Sequence, residues 1–260
     1  MTPPYERGDL QIPIYRITTP IDPIFDGGIM EYLPHGLQLE IPPGCFPLTT
    51  DSVVLAHFSA SPGAKQYLDL GSGCGQLGLL LCAGNDRCHV TGIELEETAH
   101  RGALENIRRN GMTERMESIC DDLRRVPGLF AAGQFDCCIS NPPYFSGGPA
   151  SQFTAARRED RCTLAELMRS AAWALKFGGD FFLVHRPERL GEIIAQAAPY
   201  QLETKLLTLV RHREGEPINL VLLKLRKGAK PGLTIRELAL HDPEGSPTEA
   251  YLEIYHLMED

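Results

Sequence analysis

From residue 66 onward, short apolar runs alternate with longer stretches in which apolar positions recur every three or four residues. Short runs closed by Gly, Asp or Asn read as buried strands, and the longer periodic stretches as helices. The pattern predicts strands over 66–70, 88–94, 116–120, 135–140 and 181–185. It predicts helices over 75–83, 96–110, 164–176 and 188–198, with Gly111 as a left-handed cap and Gly178-Gly179 as a stop. Two more strands, 202–210 and 219–225, are separated by a polar linker with no helix, so they should pair as an antiparallel hairpin. Seven strands interleaved with helices imply an α/β fold, a doubly wound and mostly parallel sheet ending in that hairpin. Residues 1–45 are rich in Pro and Gly, and 11–17 and 36–41 alternate like strands. They are expected to form a short β-rich extension, ahead of a main domain over 46–230. The tail, 231–260, reads as loop with a short helix over 249–256.

The 260 residues allow one such domain with a small appendage, and 43% hydrophobic with 23% charged residues is ordinary for a globular protein. No apolar run approaches the ~18 residues a membrane span needs, and residues 1–10 carry no apolar leader; a cytoplasmic protein without a membrane partner is expected. The eight cysteines include no CxxC and sit mostly in apolar segments, which predicts free structural thiols and no metal site. A net charge of −9 argues against a broad phosphate-binding surface. Local basic clusters exist nonetheless: Arg157-Arg158 with Arg161, Arg186 with Arg189, Arg211 with Arg213, and Lys224, Arg226 and Lys227 with Lys230. The default reading of any one of them is solvated surface charge.

Candidate chemistry begins where the first main-domain strand meets a glycine turn, Asp69-Leu70-Gly71-Ser72-Gly73-Cys74-Gly75. A strand turning sharply into a helix, with bare backbone for a ligand to approach, needs glycines there. Glu94 ends the next strand, where a carboxylate can accept both hydroxyls of a ribose. Asp69 would repel a pyrophosphate but welcome a cationic amino-acid group. The turn also lacks the G-x-x-G ending of the dinucleotide fingerprint. It resembles the S-adenosyl-L-methionine turn of class I methyltransferases. That resemblance implies a Rossmann-like fold, with Asp69, Gly71, Gly73 and Gly75 beside the cofactor's methionine moiety and Glu94 on its ribose. It also implies that the Asp121-Asp122 pair reads the cofactor's adenine. Asp122, just before Leu123, fits that pattern best, with Asp121 as the rival; the alternative role for either is to cap the next turn.

The fourth main-domain strand ends in Asn141-Pro142-Pro143-Tyr144. That is the ligand-binding side of an open α/β sheet. A planar amine is a poor nucleophile because its lone pair is delocalised. Acceptors that bind its N–H groups favour a pyramidal nitrogen. The Asn141 side-chain oxygen and the Pro142 carbonyl can serve, while Pro143 stiffens the turn and the Tyr144 ring can stack on a base, worth ~1–3 kcal/mol. The four residues are therefore the candidate catalytic set, with Asn141 also next to the cofactor. The tetrapeptide occurs in amine methyltransferases of adenine, of ribosomal guanine and of a release-factor glutamine amide, so it specifies planar amine methylation rather than one substrate.

More of the chain carries a resemblance: Phe46-Pro47-Leu48-Thr49-Thr50-Asp51, Ala156-Arg157-Arg158-Glu159, Arg186-Pro187-Glu188-Arg189-Leu190, Lys227-Gly228, Tyr251 and Tyr255. Together with the two motifs these resemble the bacterial YfiC-like family of tRNA adenine-N6 methyltransferases, over roughly residues 36–258. The resemblance implies an RNA substrate, a valine tRNA methylated at position 37. It also implies that Thr50 and Asp51 line the methionine end of the cofactor and that residues around Arg157 meet RNA phosphates; the expected active unit is a monomer or homodimer. A glutamine-amide or ribosomal-guanine methyltransferase is the alternative enzyme. A cofactor-binding protein without catalysis is the alternative of another class, disfavoured because Asn141 and the glycines are intact.

Overall fold

The computed structural model describes residues 24–33, 36–61, 63–142 and 162–255. Two short strands, β1 (Ile29–Tyr32) and β2 (Gln38–Ile41), pair antiparallel, Ile29 opposite Ile41. They lead into α1 (Thr50–Ser59), β3 (Gln66–Leu70), α2 (Gln76–Gly84), β4 (His89–Glu94), α3 (Glu97–Arg109) and β5 (Met116–Cys120). A helical turn, α4 (Val126–Leu129), precedes β6 (Phe135–Ser140), α5 (Leu164–Ala174), β7 (Leu175–His185) and α6 (Leu190–Ala197). The chain then forms β8 (Leu202–Arg213), β9 (Leu220–Lys227), β10 (Thr234–His241) and α7 (Glu249–Ile254).

The main sheet has the order β10-β8-β9-β7-β6-β3-β4-β5. Neighbours are parallel except on either side of β9, which runs against both β7 and β8. The doubly wound sheet and the β8–β9 hairpin match the sequence reading. Side chains alternate between two apolar layers, as a pleated strand buried on both faces requires. Tyr67, Cys137, Ile139 and Phe182 pack with α1 and α2; Leu68, Cys138, Phe181 and Leu183 pack with α5 and α6. All eight cysteines are free thiols.

Two expectations are corrected, and the fold adds elements the sequence pattern did not mark. Among the described residues the sheet has eight strands, not seven: β10, read from sequence as loop, pairs parallel with β8. It is an edge strand whose first four residues are exposed, so Arg236 and Glu237 interrupt the apolar alternation that marks a strand. The helix expected over 164–176 ends at Ala174. β7 already begins at Leu175, opposite Phe135, and Gly178-Gly179 lies inside a register shift rather than after a helix. A side chain at Gly179 would stand 2.8 Å from the Asp136 carbonyl oxygen, so the glycine permits close passage. The strand expected over 36–41 is β2, paired with β1, which the pattern did not mark, while 11–17 lies outside the described residues. Finally α1, given no element from sequence, is a ten-residue helix with Val53, Val54 and Leu55 buried.

Two asparagines dock the hairpin. Asn106 Oδ1 accepts the Glu40 N–H (2.7 Å) and its Nδ2 donates to the Glu40 carbonyl (2.9 Å) and the Cys74 carbonyl (3.0 Å). Asn110, one turn on, repeats this pattern at Gln38, at 2.9 and 2.7 Å. Amides spaced i,i+4 on the helix thus serve alternate residues of β2 as a neighbouring strand would. The buried Glu40 carboxylate adds an ion pair to Arg109 at 2.7 Å.

Candidate active site

The chain winds away from β3 in one direction through β4 and β5, and in the other through β6 and β7. A crevice must open where the order reverses, at the C-terminal ends of β3 and β6. There lies a cavity of about 400 Å³, a size suited to a small-molecule ligand. Its walls are the 43–47 loop, Ser52, Leu70–Gly73, Ile93–Glu96, Asp121–Leu123, Ser140–Pro142, the start of α5 and His185.

The glycine turn follows β3 directly. Gly71, Gly73 and Gly75 have φ of 78°, 56° and 84°, a left-handed backbone that favours glycine. Gly71 and Gly73 face the cavity, and a side chain at Gly71 would meet nothing within 4 Å. Gly75 serves packing instead: a Cβ there would stand 2.9 Å from Met116 Cε. Glu94 closes the turn from β4. One carboxylate oxygen accepts the Gly73 N–H at 2.8 Å and the other accepts the Glu96 N–H at 2.8 Å.

Asp69 stands immediately behind the turn, fully buried, and neither carboxylate oxygen has a hydrogen-bond partner among the described residues. Burial, helped by the Glu94 charge, pushes its carboxyl up to about 8. The wall itself carries Glu94, Glu96, Asp121 and Asp122, and no lysine or arginine among the described residues. An orphaned buried carboxylate behind an acidic wall fits a ligand bearing positive charge, such as a sulfonium with an α-ammonium group, and disfavours a pyrophosphate.

Asp121 and Asp122 both face the cavity. Asp122 caps the following turn, accepting the Arg124 N–H at 2.9 Å, and clamps the Arg124 guanidinium through its other oxygen; these bonds hold its carboxyl below the usual range. Asp121 accepts the Asp122 N–H and Arg125 Nη1 with one oxygen, at 2.7 and 3.1 Å. The capping alternative is therefore realised at Asp122. Thr50 and Asp51 do not form part of the wall, whereas Ser52 does.

Asn141 is the first residue after β6. Ser140 Oγ donates to the Leu70 carbonyl at 2.7 Å, which ties the ends of β3 and β6 together and sets Asn141 beside the glycine turn. The Asn141 Nδ2 donates to Ser52 Oγ at 3.0 Å. Pro142 completes that wall; Pro143, Tyr144 and the Arg157, Arg158 and Arg161 cluster lie outside the described residues. His185, which the sequence reading passed over, ends β7 in the same wall. Burial and the nearby Arg189 charge lower it to about 4, and its Nδ1 accepts the Arg186 N–H at 2.8 Å, so the ring is neutral with its proton on Nε2. A polar residue closing the apolar run FFLV was the available signal for it.

Strand direction sorts the basic clusters. Arg186, Arg189, Arg211 and Arg213 lie at the end of the sheet where the cavity opens. Arg226 and Lys227 lie at the opposite end and serve the fold: Arg226 grips Asp180 at 2.7 and 2.9 Å, and Lys227 donates to the Leu175 carbonyl at 2.8 Å.

A doubly wound sheet with one reversed strand, a glycine turn backed by a buried acid, and Asn-Pro at the adjoining strand end define an S-adenosylmethionine-dependent methyltransferase of class I. The chain belongs to the methyltransferase small domain family, whose model matches residues 49–198, and within it to the YfiC-like group. It is 34% identical over 192 residues, 72% of this chain and 78% of the relative, to a tRNA1(Val) (adenine(37)-N6)-methyltransferase of Tolumonas auensis. A protein of the same name from Aeromonas hydrophila is 28% identical over 79% of this chain and 86% of its own length. Among solved structures, a predicted O-methyltransferase from Agrobacterium tumefaciens shares the fold with a TM-score of 0.68, at 24% identity over 80% of this chain and 96% of that one. The T. thermophilus 16S rRNA N2 G1207 methyltransferase, solved with its cofactor and guanosine, shares it with a TM-score of 0.54, at 21% identity over 77% and 50%. No helix among the described residues is long and apolar enough to cross a membrane, and they hold no group of three metal-binding side chains.

Proposed function

We propose that the chain methylates the N6 amine of an adenine in tRNA, at position 37 as in the relatives it matches. The observation that carries the reading is the placement of Asn141 beside the glycine turn, across the β3–β6 pair. Asp69 offers a counter-charge to the cofactor's ammonium group, Gly71 and Gly73 give it bare backbone, and Glu94 takes the ribose hydroxyls. The adenine end falls to the Asp121–Asp122 pair.

S-adenosylmethionine supplies an electrophilic methyl group on a sulfonium. The protein's task is to hold the amine in line with it and to sharpen the nitrogen lone pair. Asn141 Oδ1 and the Pro142 carbonyl each accept one N–H of the amine, which draws the lone pair out of the ring. Tyr144 stacks on the base. With the cofactor bound, the amine held by these two acceptors would take the methyl group as the sulfonium leaves as a neutral thioether, and the alkylated nitrogen would give its proton to water. No charged base is needed.

The test uses labelled cofactor with unmodified tRNA, ribosomal RNA and release factor in parallel. Label on N6 of a tRNA adenine is expected; label on glutamine or only on guanine overturns the assignment. Asn141→Ala should lower kcat by about 10²-fold or more, the scale of losing one preorganised polar contact to the reacting group, with cofactor affinity held within a few-fold.

A further inference from the structure

We infer that Ser52 is a positioning residue for methyl transfer: its hydroxyl holds the Asn141 amide by Nδ2 and so aims Oδ1 at the target amine. The inference rests on the reading of Asn141 as the acceptor for that amine.

The backbone at Asn141 is already held. On one side Ser140 Oγ is bonded to the Leu70 carbonyl. On the other, the ring of Pro142 restricts the peptide that follows. What remains is side-chain torsion, and the terminal torsion of an asparagine is broad and nearly two-fold. That torsion by itself does not distinguish an oxygen facing the substrate from an NH2 group facing it. An NH2 facing the target amine sets donor against donor and leaves the nitrogen lone pair in the ring.

Ser52 supplies a partner for Nδ2. It lies 89 residues from Asn141 in sequence, in the first turn of α1, and shares the cavity wall with it. Its side chain is buried, and the Asn141 Nδ2 donates to its Oγ at 3.0 Å. With Nδ2 engaged, the planar amide fixes where Oδ1 lies. A serine hydroxyl can also donate, so the substrate completes the choice: its N–H rewards only the arrangement with Nδ2 on Ser52. The helix that carries Ser52 thereby becomes part of the transfer geometry rather than only a cover for the sheet.

The experiment is single-turnover transfer of labelled methyl to an unmodified tRNA transcript, with cofactor affinity measured separately. The proteins are the parent, Ser52→Ala, Ser52→Thr, Asn141→Ala and the double variant. Ser52→Ala is expected to slow transfer three- to tenfold, the size of one neutral hydrogen bond, with cofactor affinity within twofold. Ser52→Thr, which keeps the hydroxyl, should recover most of the rate. In the Asn141→Ala background the Ser52→Ala change should cost nothing further. An unchanged rate in Ser52→Ala, an equal penalty in both backgrounds, or failure of Ser52→Thr to rescue overturns the inference while leaving Asn141 as the acceptor. Full activity in Asn141→Ala overturns the reading of Asn141 and this inference with it. If Ser52→Ala does not fold, Ser52→Cys, a near-isosteric weak acceptor, takes its place with the same expected pattern.

Discussion

Replacing Asp69 with Asn should stabilise the protein without cofactor and weaken its hold on the cofactor, and both effects should depend on pH. In the unfolded chain the carboxyl titrates near its ordinary 3.8, and in the folded protein near 8, because burial and the Glu94 carboxylate disfavour its charge. Between those values the native state binds a proton that the unfolded state does not. Stability therefore falls as pH rises, by about 1.4 kcal/mol per pH unit. Asparagine does not titrate, so the advantage of Asp69→Asn should be small near pH 4 and grow toward pH 8. Between pH 5 and pH 7.5 it should increase by about 3 kcal/mol, a large fraction of a typical folding free energy. Urea unfolding of both proteins at the two pH values measures it. A difference that does not change with pH refutes the assignment of a buried, uncompensated acid. Bound cofactor should reverse the balance, since its ammonium group favours the ionised carboxylate. Calorimetry at pH 6.5 in buffers of different ionisation heat should show about one proton released per cofactor bound by the parent, and none attributable to this site in Asp69→Asn.

Asn106→Ala removes the partner of the Glu40 N–H, the Glu40 carbonyl and the Cys74 carbonyl at once. It should cost about 3–5 kcal/mol in denaturant unfolding and loosen the glycine turn, so an unaltered midpoint would show that water replaces the amide freely. Glu94→Ala frees the Gly73 and Glu96 N–H groups and should weaken cofactor binding more than it lowers kcat, the reverse of Asn141→Ala; equilibrium binding beside saturated turnover separates the two. His185, held neutral down to about 4, binds fewer protons folded than unfolded between pH 4 and 6.5. Its share of stability is therefore lost as pH falls through that window, and His185→Gln should flatten the acid limb of the unfolding curve.

Periodicity alone carried the alternation of strands and helices, because a parallel strand buried on both faces must be a short apolar run and a covering helix must show a stripe. The glycine turn was legible for a local reason: left-handed backbone at Gly71, Gly73 and Gly75 leaves a signature in composition. So was the turn at Asn141-Pro142, where proline restricts the backbone. Edge strands and docked helices left weaker marks. β10 has one partner strand among the described residues and an exposed start, so no burial pattern was imposed on it. The mostly buried helix α1 lacks the clean polar stripe of a surface helix. Sequence determined which local pieces could exist and which chemistry each could carry. Only the tertiary structure decided that β3 and β6 are neighbours, which sets Gly71 beside Asn141 from 70 residues away. It alone placed Ser52 against that amide, turned Gly75 toward Met116 and left Asp69 buried with no hydrogen-bond partner among the described residues. Those are long-range facts: they follow from where the strand order reverses and from which groups the packed core shuts away from water, and no local pattern encodes either.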